Sequence, residues 1–310
     1  PNLKSLIIHF SDIRAEDIAA LPRGLTYFNC NGSHFVWETG VHNEYVAELA
    51  CVRALPPSLT KLRGLTPYMS CQVAEALPRG LKDSLGPVHY RTLPHLPKTL
   101  KELSINDFFF EDSPDDEEEE SDSTDARTSE YPPIDPVLGL RDLLGPSITR
   151  LGLFNAPTDL FKTLPPQLKT MLVSFEATDI PGVTNAKDYT EEEEPISTVL
   201  LPFLPPGLTK LMIYTGTNLL PNFHHLPRTL TTLDISITSV EMEWRVNSSS
   251  SSTGLPRGLK FLELPPLIFP ETVNLQEWVL GLPPSMEDLN LTINDSRVYE
   301  PQFGQALVQA

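Results

Sequence analysis

Three cysteines in 310 residues, at irregular spacing, exclude a disulfide framework and any cysteine-rich zinc site. No stretch approaches the ~20 consecutive apolar residues that a transmembrane helix needs, so a membrane partner is not expected. Basic charge is scarce, with 23 Lys and Arg against 41 Asp and Glu for a net charge of −18. That balance disfavours nucleic-acid binding, which draws most of its affinity from cationic side chains on phosphates. Also absent are a Gly-x-Ser-x-Gly elbow, a His-Glu-x-x-His helix, a phosphate loop and a Gly-x-Gly-x-x-Gly fingerprint. No residue is therefore nominated for catalysis, no metal or other cofactor is expected, and the chain reads as a non-enzyme. His224 and His225 are adjacent, so their side chains diverge, and they read as ordinary crossover residues rather than as metal ligands.

The acidic excess is localised. Residues 107–135 hold 13 acids and one arginine, and residues 187–194 hold five acids and one lysine, which leaves a net −2 for all the rest. What the chain has in abundance is leucine, 47 of them, and proline, 31. Interior prolines cost a helix roughly 3 kcal/mol each and remove a ladder N–H from a central strand, so a helix bundle or an antiparallel sandwich is excluded.

The prolines and leucines occur together in a repeated phrase. Ten-residue copies of the form Leu-Pro-x-x-Leu-x-x-Leu-x-Leu/Ile begin at Leu21, Leu55, Leu96, Leu144, Leu164, Leu204, Leu226, Leu255 and Leu282. A tenth copy from Leu77, LPRGLKDSL, carries one extra residue, and an eleventh is already under way at Pro1. The base period is near 20–22 residues, with insertions, and the 40-residue interval after Leu164 has room for a degenerate copy near residue 184. In Leu208-x-x-Leu211-x-Ile213 the last two apolar residues alternate as a short strand requires. Strands recurring at this interval without hairpin signals are expected to be parallel, with crossovers on one side. Proline holds the leucine before it extended and is expected second in a type I turn, with a small polar residue last. Each unit buries only four or five leucine-type side chains, worth roughly 1.5–3 kcal/mol apiece. Ordering its backbone costs roughly 1–2 kcal/mol per residue. Only stacked neighbours close that gap, so the expected fold is a solenoid.

These phrases resemble the leucine-rich repeat family, whose core is Leu-x-x-Leu-x-Leu, over nearly the whole chain. The Leu-Pro-x-x-Leu prefix is most similar to short proline-containing repeats of bacterial effector proteins and of some protist and fungal proteins. The resemblance implies an α/β-type solenoid, a leucine-rich-repeat horseshoe with a curved parallel sheet and short helical or irregular convex crossovers. It also implies a single solenoid spanning residues 1–310. The family's turn-bridging asparagine is missing: its slot holds Ser33, Phe108, Ala156, Glu176, Gly216 or Thr238, and only Asn294 matches. Hydrogen bonding between turns is therefore expected to differ. Related effectors often carry a ubiquitin-ligase domain with a Cys-x-Asp nucleophile; that tripeptide does not occur here, and the activity is not carried over.

Three inserts interrupt the repeats: an acidic segment at 107–135, expected to be disordered, and smaller ones at 183–195 and 247–254. The acidic segment reads as a solvated linker, as an interaction tail for basic partners, or as a segment phosphorylated at Ser121, Ser123 and Thr124. Helical periodicity appears at 38–53 and around Leu275, Trp278, Val279 and Leu282. Cys30 occupies a phrase-final leucine slot and is expected to be a buried, inert thiol. Asn-x-Ser/Thr occurs at Asn31, Asn247, Asn290 and Asn294. With few cysteines and no sign of secretion, the expected location is cytoplasmic and these sites are expected to be unmodified.

If the leucines of each strand point inward, phrase positions seven and nine point outward. The candidate binding residues are Tyr27, Asn29, Lys61, Arg63, Glu102, Arg150, Phe154, Lys210, Met212, Tyr214, Thr232, Asp234, Phe261 and Asp288. Mixed polar groups with spaced aromatics suit a protein partner. The expected function is a binding scaffold presenting its concave sheet to another protein. The alternative is the substrate-recognition arm of a ubiquitin ligase, with further sequence expected upstream of the phrase that Pro1 enters midway.

Overall fold

In the computed structural model the described residues are 2–9, 11–31, 33–35, 44–65, 69–83, 88–105, 139–154, 156–175, 200–215, 223–237, 244–245, 254–268 and 275–291. The expected inserts at 107–135 and 183–195, and all but residue 254 of the third, lie outside them. Two compact units form. The first comprises Pro1–Leu100 and Ile105–Gly145, the second Lys101–Ser104 and Pro146–Ala310.

The first unit contains strands β1 (Ser5–Ile7), β2 (Asp12–Ile13), β3 (Tyr27–Asn29), β4 (His34–Phe35) and β5 (Lys61–Arg63). Its helices are α1 (Ala15–Ala19), α2 (Glu44–Ala54), α3 (Cys71–Ala76) and α4 (Leu140–Leu143), with a 3-10 turn at Tyr90–His95. β1, β3 and β5 form a parallel sheet in that order, and β2 pairs in parallel with β4. The helices stack, α1 on α2, α2 on α3, and α3 on the 3-10 turn. Ser70 starts α3 by accepting the Val73 N–H at 3.2 Å, satisfying one orphan donor of the first turn.

The second unit carries β6 (Glu102–Ile105, ending at the boundary), β7 (Arg150–Phe154), β8 (Thr170–Phe175), β9 (Lys210–Thr215) and β10 (Thr232–Ile237). It continues with β11 (Trp244–Arg245), β12 (Phe261–Glu263), β13 (Leu267–Ile268), helix α5 (Leu275–Leu280) and β14 (Asp288–Asn290). The main sheet has the order β14-β12-β10-β9-β8-β7-β6, and its registered pairs are parallel. Each phrase of this unit supplies one strand of the ladder, as the repeat spacing predicts. β8 pairs directly with β9, so the interval after Leu164 adds no strand between them, contrary to the expected degenerate copy.

The leucine columns are the core. Phrase position five (Leu25, Leu59, Leu81, Leu168, Leu208, Leu230, Leu259) and position eight (Phe28, Leu62, Met171, Leu211, Leu233, Leu262) are fully buried. Cys30 fills position ten, the slot that Leu153 and Val173 fill in the second unit, and all three are buried. Among the described residues the copy from Leu77 joins the sheet through a bridge of Asp83 to Lys61.

The turn differs from the expected type I register. The N–H of the position-five leucine closes onto the proline carbonyl, as in Leu25 to Pro22 at 2.9 Å and Leu208 to Pro205 at 3.0 Å. Proline is thus first in the turn, not second. The leucine before it closes the preceding helix or 3-10 turn, as when Leu204 N–H donates to Leu201 O at 3.3 Å. At that leucine the backbone turns extended, with φ −61° and ψ 135° at Leu204 and φ −58° and ψ 144° at Leu77. That conformation is the one the following proline ring permits, so Leu-Pro is a helix stop followed at once by a turn.

Candidate functional site

Because side chains alternate along a strand, the ladders that bury positions five, eight and ten deliver positions seven and nine to the opposite face in registered rows. In the second unit one row runs Arg150, Thr170, Lys210, Thr232, Phe261, Asp288. The next runs Gly152, Leu172, Met212, Asp234, Glu263, Asn290. A third runs Phe154, Ser174, Tyr214, Ser236. Phe154, Lys210, Met212, Tyr214, Thr232, Asp234 and Phe261 are half-buried, and Arg150 and Asp288 are exposed. Gly152 makes room in its row: a Cβ there would lie 3.0 Å from Ser104 Oγ and 3.4 Å from Phe154 Cε2.

The rows are chemically divided. Toward β7, β8 and β9 an apolar patch of Phe154, Leu172, Met212 and the Tyr214 ring stands beside a first row of Arg150, Thr170 and Lys210. Toward β10, β12 and β14 the face is acidic, with Asp234, Glu263 and Asp288. Asp234 Oδ1 accepts from Ser236 Oγ at 3.1 Å, and Glu263 Oε1 accepts from Asn290 Nδ2 at 3.0 Å. Both donors are neutral and cancel no charge. Burial, followed by the nearby Asp234 and Glu263 carboxylates, raises the Tyr214 phenol above its ordinary pKa. Arg150 and Glu102 are neighbours across β6 and β7 and form an ion pair at 3.2 Å.

In the first unit the same positions hold Tyr27, Asn29, Lys61 and Arg63. Tyr27 pairs in register with Lys61, and Asn29 with Arg63. Lys61 and Arg63 are exposed and Tyr27 is half-buried. Asn29 is a correction to the expected outward column. It is only 8% exposed, because its Oδ1 folds back to accept the Asn31 N–H at 3.0 Å. Lys61 also gains a partner that phrase alignment passed over, Asp83 at 2.5 Å. The signal was present: Lys82 and Asp83 occupy positions six and seven before the extra residue shifts the phrase.

The missing asparagine has a replacement that hydropathy patterns do not reveal. Hydroxyls at position four reach the turn of the preceding repeat, as when Thr99 Oγ1 lies 2.8 Å from Arg79 O and 2.6 Å from Leu81 O. Thr229 does the same to Pro206 O and Leu208 O, both at 2.7 Å, and Ser285 to Arg257 O and Leu259 O. Position-six carbonyls accept both the position-six and position-seven N–H of the next repeat; Thr209 O takes Thr231 N–H at 2.9 Å and Thr232 N–H at 3.1 Å. A threonine hydroxyl adds a third donor there, Thr231 Oγ1 at 3.0 Å. Thr26, Thr60, Thr149, Thr209 and Thr231 recur in that slot, which is the periodicity that could have disclosed the ladder.

No group of three or more His, Cys, Asp or Glu side chains among the described residues stands close enough to hold a metal ion. His224 and His225 sit exposed on a 3-10 turn at Phe223–His225. Burial pushes the Cys30 and Cys51 thiols up to about 12, so neither supplies a thiolate nucleophile near neutral pH. No described helix is long and apolar enough to cross a membrane.

No protein-family model matches the chain, and no curated protein matches its sequence. Among solved structures it is similar to the leucine-rich repeat-containing protein LegL7 from Legionella pneumophila, at 13% identity over 97% of this chain and 96% of that one, with a TM-score of 0.48. It is also similar to an internalin, InlF, from Listeria monocytogenes, at 13% identity over 99% and 72% of the two chains, TM-score 0.47. A third is CroV588, described as a novel circular leucine-rich-repeat protein, at 17% identity over 89% of this chain and 38% of that one, TM-score 0.39.

Proposed function

We propose that the chain is a non-enzymatic scaffold that binds another protein on the outward sheet face of its second unit. The observation that carries this reading is the registered apolar patch of Phe154, Leu172, Met212 and Tyr214 on a sheet face, half-buried and bordered by charge. A solvated sheet face has no need of apolar residues in adjacent columns, whereas interfaces combine such a centre with a polar rim. No described residue favours a ubiquitin-ligase arm. A cytoplasmic location is supported by the three cysteines, all free, as expected where thiols are kept reduced.

The test is to immobilise the full chain, identify the proteins that co-purify, and repeat with Met212→Glu combined with Tyr214→Ala. Lys162→Glu, on the 3-10 turn Thr158–Thr163 of the crossover side, is the control. The expected result is a partner lost by the face variant and kept by the control, with unchanged circular dichroism. A partner kept by both would sink the reading.

A further inference from the structure

The face of the second unit carries three carboxylates that form no ion pair among the described residues: Asp234, Glu263 and Asp288. Of the cations on or beside the face two are committed elsewhere, and the third, Lys210, lies one row away on the strand next to Asp234 and offsets at most one of the three charges. Arg150 is held by Glu102, Lys260 is held by Glu287 at 2.6 Å, and Lys210 makes no ion pair with the three acids. Glu263 and Asp234 are adjacent in one row, directly beside Met212, and Asp288 stands beside Phe261 in the row next to it. Like charges on neighbouring strands repel, and Tyr214 resists ionisation in the same field. An occupant that brought positive charge would relieve that repulsion while its apolar part covered Leu172 and Met212.

Charge also excludes occupants from within the molecule. The acidic runs at 107–135 and 187–194 carry the sign of the face, and a second copy brings the same acidic face and the same runs with it. Both are repelled over the Debye length of roughly 8 Å at physiological salt. What complements the face is a cationic segment of a different protein, steered toward it by the field of the whole chain.

We infer that the second unit's sheet face binds an extended segment of a partner protein that carries an aromatic or aliphatic anchor followed by lysine or arginine. The inference rests on the scaffold reading above and adds the partner's chemistry. The spacing is set by the sheet. Met212 and Glu263 are two strand steps apart, roughly 10 Å at about 4.8 Å per step, which an extended chain spans in about three residues. The anchor sits over β8 and β9, and the first cation about three residues further along lies over Asp234 and Glu263. A second cation reaches Asp288.

The experiment is a selection of random twelve-residue peptides displayed against the full-length chain, followed by affinity measurement of the enriched sequences. The expected enrichment is an aromatic or aliphatic residue with lysine or arginine about three positions away. Binding is expected to fall about tenfold or more in the charge-removing triple variant D234N/E263Q/D288N and to weaken steeply with salt. Asn and Gln keep the size of the side chains they replace, so circular dichroism should not change. Enriched peptides lacking a cation, affinity indifferent to the triple variant, or no enrichment at all would overturn the inference. The scaffold reading is separated by Met212→Glu. Cation-free peptides lost in that variant leave a binding face of different taste, whereas peptides bound equally by Met212→Glu and the unsubstituted chain place binding elsewhere and remove both.

Discussion

The two units use one ten-residue phrase to build two kinds of wall. In the first, β1, β3 and β5 pair over three residues each; in the second, β8, β9 and β10 pair over six. The crossovers differ in the same sense. From Thr26 to its equivalent Thr60 the chain travels 34 residues and includes the eleven-residue α2. From Arg150 to Thr170, paired in register, it needs only twenty, with a single six-residue 3-10 turn on the way. Short strands alternate with stacked helices in the first unit; in the second, β8, β9 and β10 are twice as long, while β12 and β14 return to three-residue pairing with α5 between them.

Gly64 marks where the difference is enforced. Its φ of +92° lies in a region that side chains rarely adopt, and a Cβ there would stand 2.4 Å from Asn31 N and Cys30 C. The chain after β5 thus presses directly onto the backbone after β3, and the ladder ends at that contact. In the second unit no glycine interrupts β8, β9 or β10, and the ladder runs three residues longer. The difference teaches that the phrase sets where each strand starts, since β3 and β5 end within it and β8, β9 and β10 run two residues past its tenth position; the residues beyond that position decide how long the ladder becomes.

Core truncation is the strongest way to test that division. Leu62→Ala in β5 and Leu233→Ala in β10 each remove a fully buried side chain, at an expected cost of about 2–5 kcal/mol. Leu233 lies between two paired strands, β9 and β12, whose backbones resist collapse into the void, so its cost should be the larger in urea unfolding of the full chain. Equal or reversed costs would erase the proposed contrast.

Alkaline pH should separate the units next. All three cysteines lie in the first. Burial raises the Cys30 and Cys51 thiols from 9.0 to about 12, with the Glu48 charge adding at Cys30 and the Glu16 charge at Cys51. A raised folded-state value means the folded chain holds the proton that the unfolded chain releases. The associated stability is complete below pH 9 and is lost as pH rises toward about 12. Unfolding midpoints measured across that window should fall, and the double variant Cys30→Ala with Cys51→Ala should flatten the fall. An identical slope in wild type and variant would refute the assignment.

The smallest effect concerns what the units share. Thr99→Val in the first and Thr229→Val in the second each delete a hydroxyl that bridges two carbonyls of the preceding turn. Each should cost about 1 kcal/mol, and by the same amount, because the contact is the same. Unequal costs would show that the turn edge, like the strands, differs between the units.

Much of this was legible in the leucines. Their spacing implied parallel strands, buried positions five, eight and ten, and the burial of Cys30, because hydropathy at fixed offsets is a statement about one face of one element. The turn edge was less open to reading. Thr99 and Thr229 look like small polar fillers until the preceding repeat is in place, since their acceptors lie some twenty residues back. The burial of Asn29 was closed to reading for a related reason: its short amide accepts the Asn31 N–H, a contact that alternation alone does not register. The partition of the outward face into an apolar patch and an acidic side depended on which strands become neighbours. Met212 and Asp234 meet only because β9 and β10 align residue for residue.

The Leu-Pro stop and its turn also bear on how such a protein changes over generations. Thr170 and Lys210 align as closely as Arg150 and Thr170 do, although forty residues separate the first pair and twenty the second. The strand therefore restarts in step however much chain precedes it, and the crossover between repeats becomes a place where new sequence is admitted without disturbing the frame. A segment inserted there is expected to leave the pairing of the flanking strands in register, so whatever it can do is delivered beside a sheet that need not be realigned.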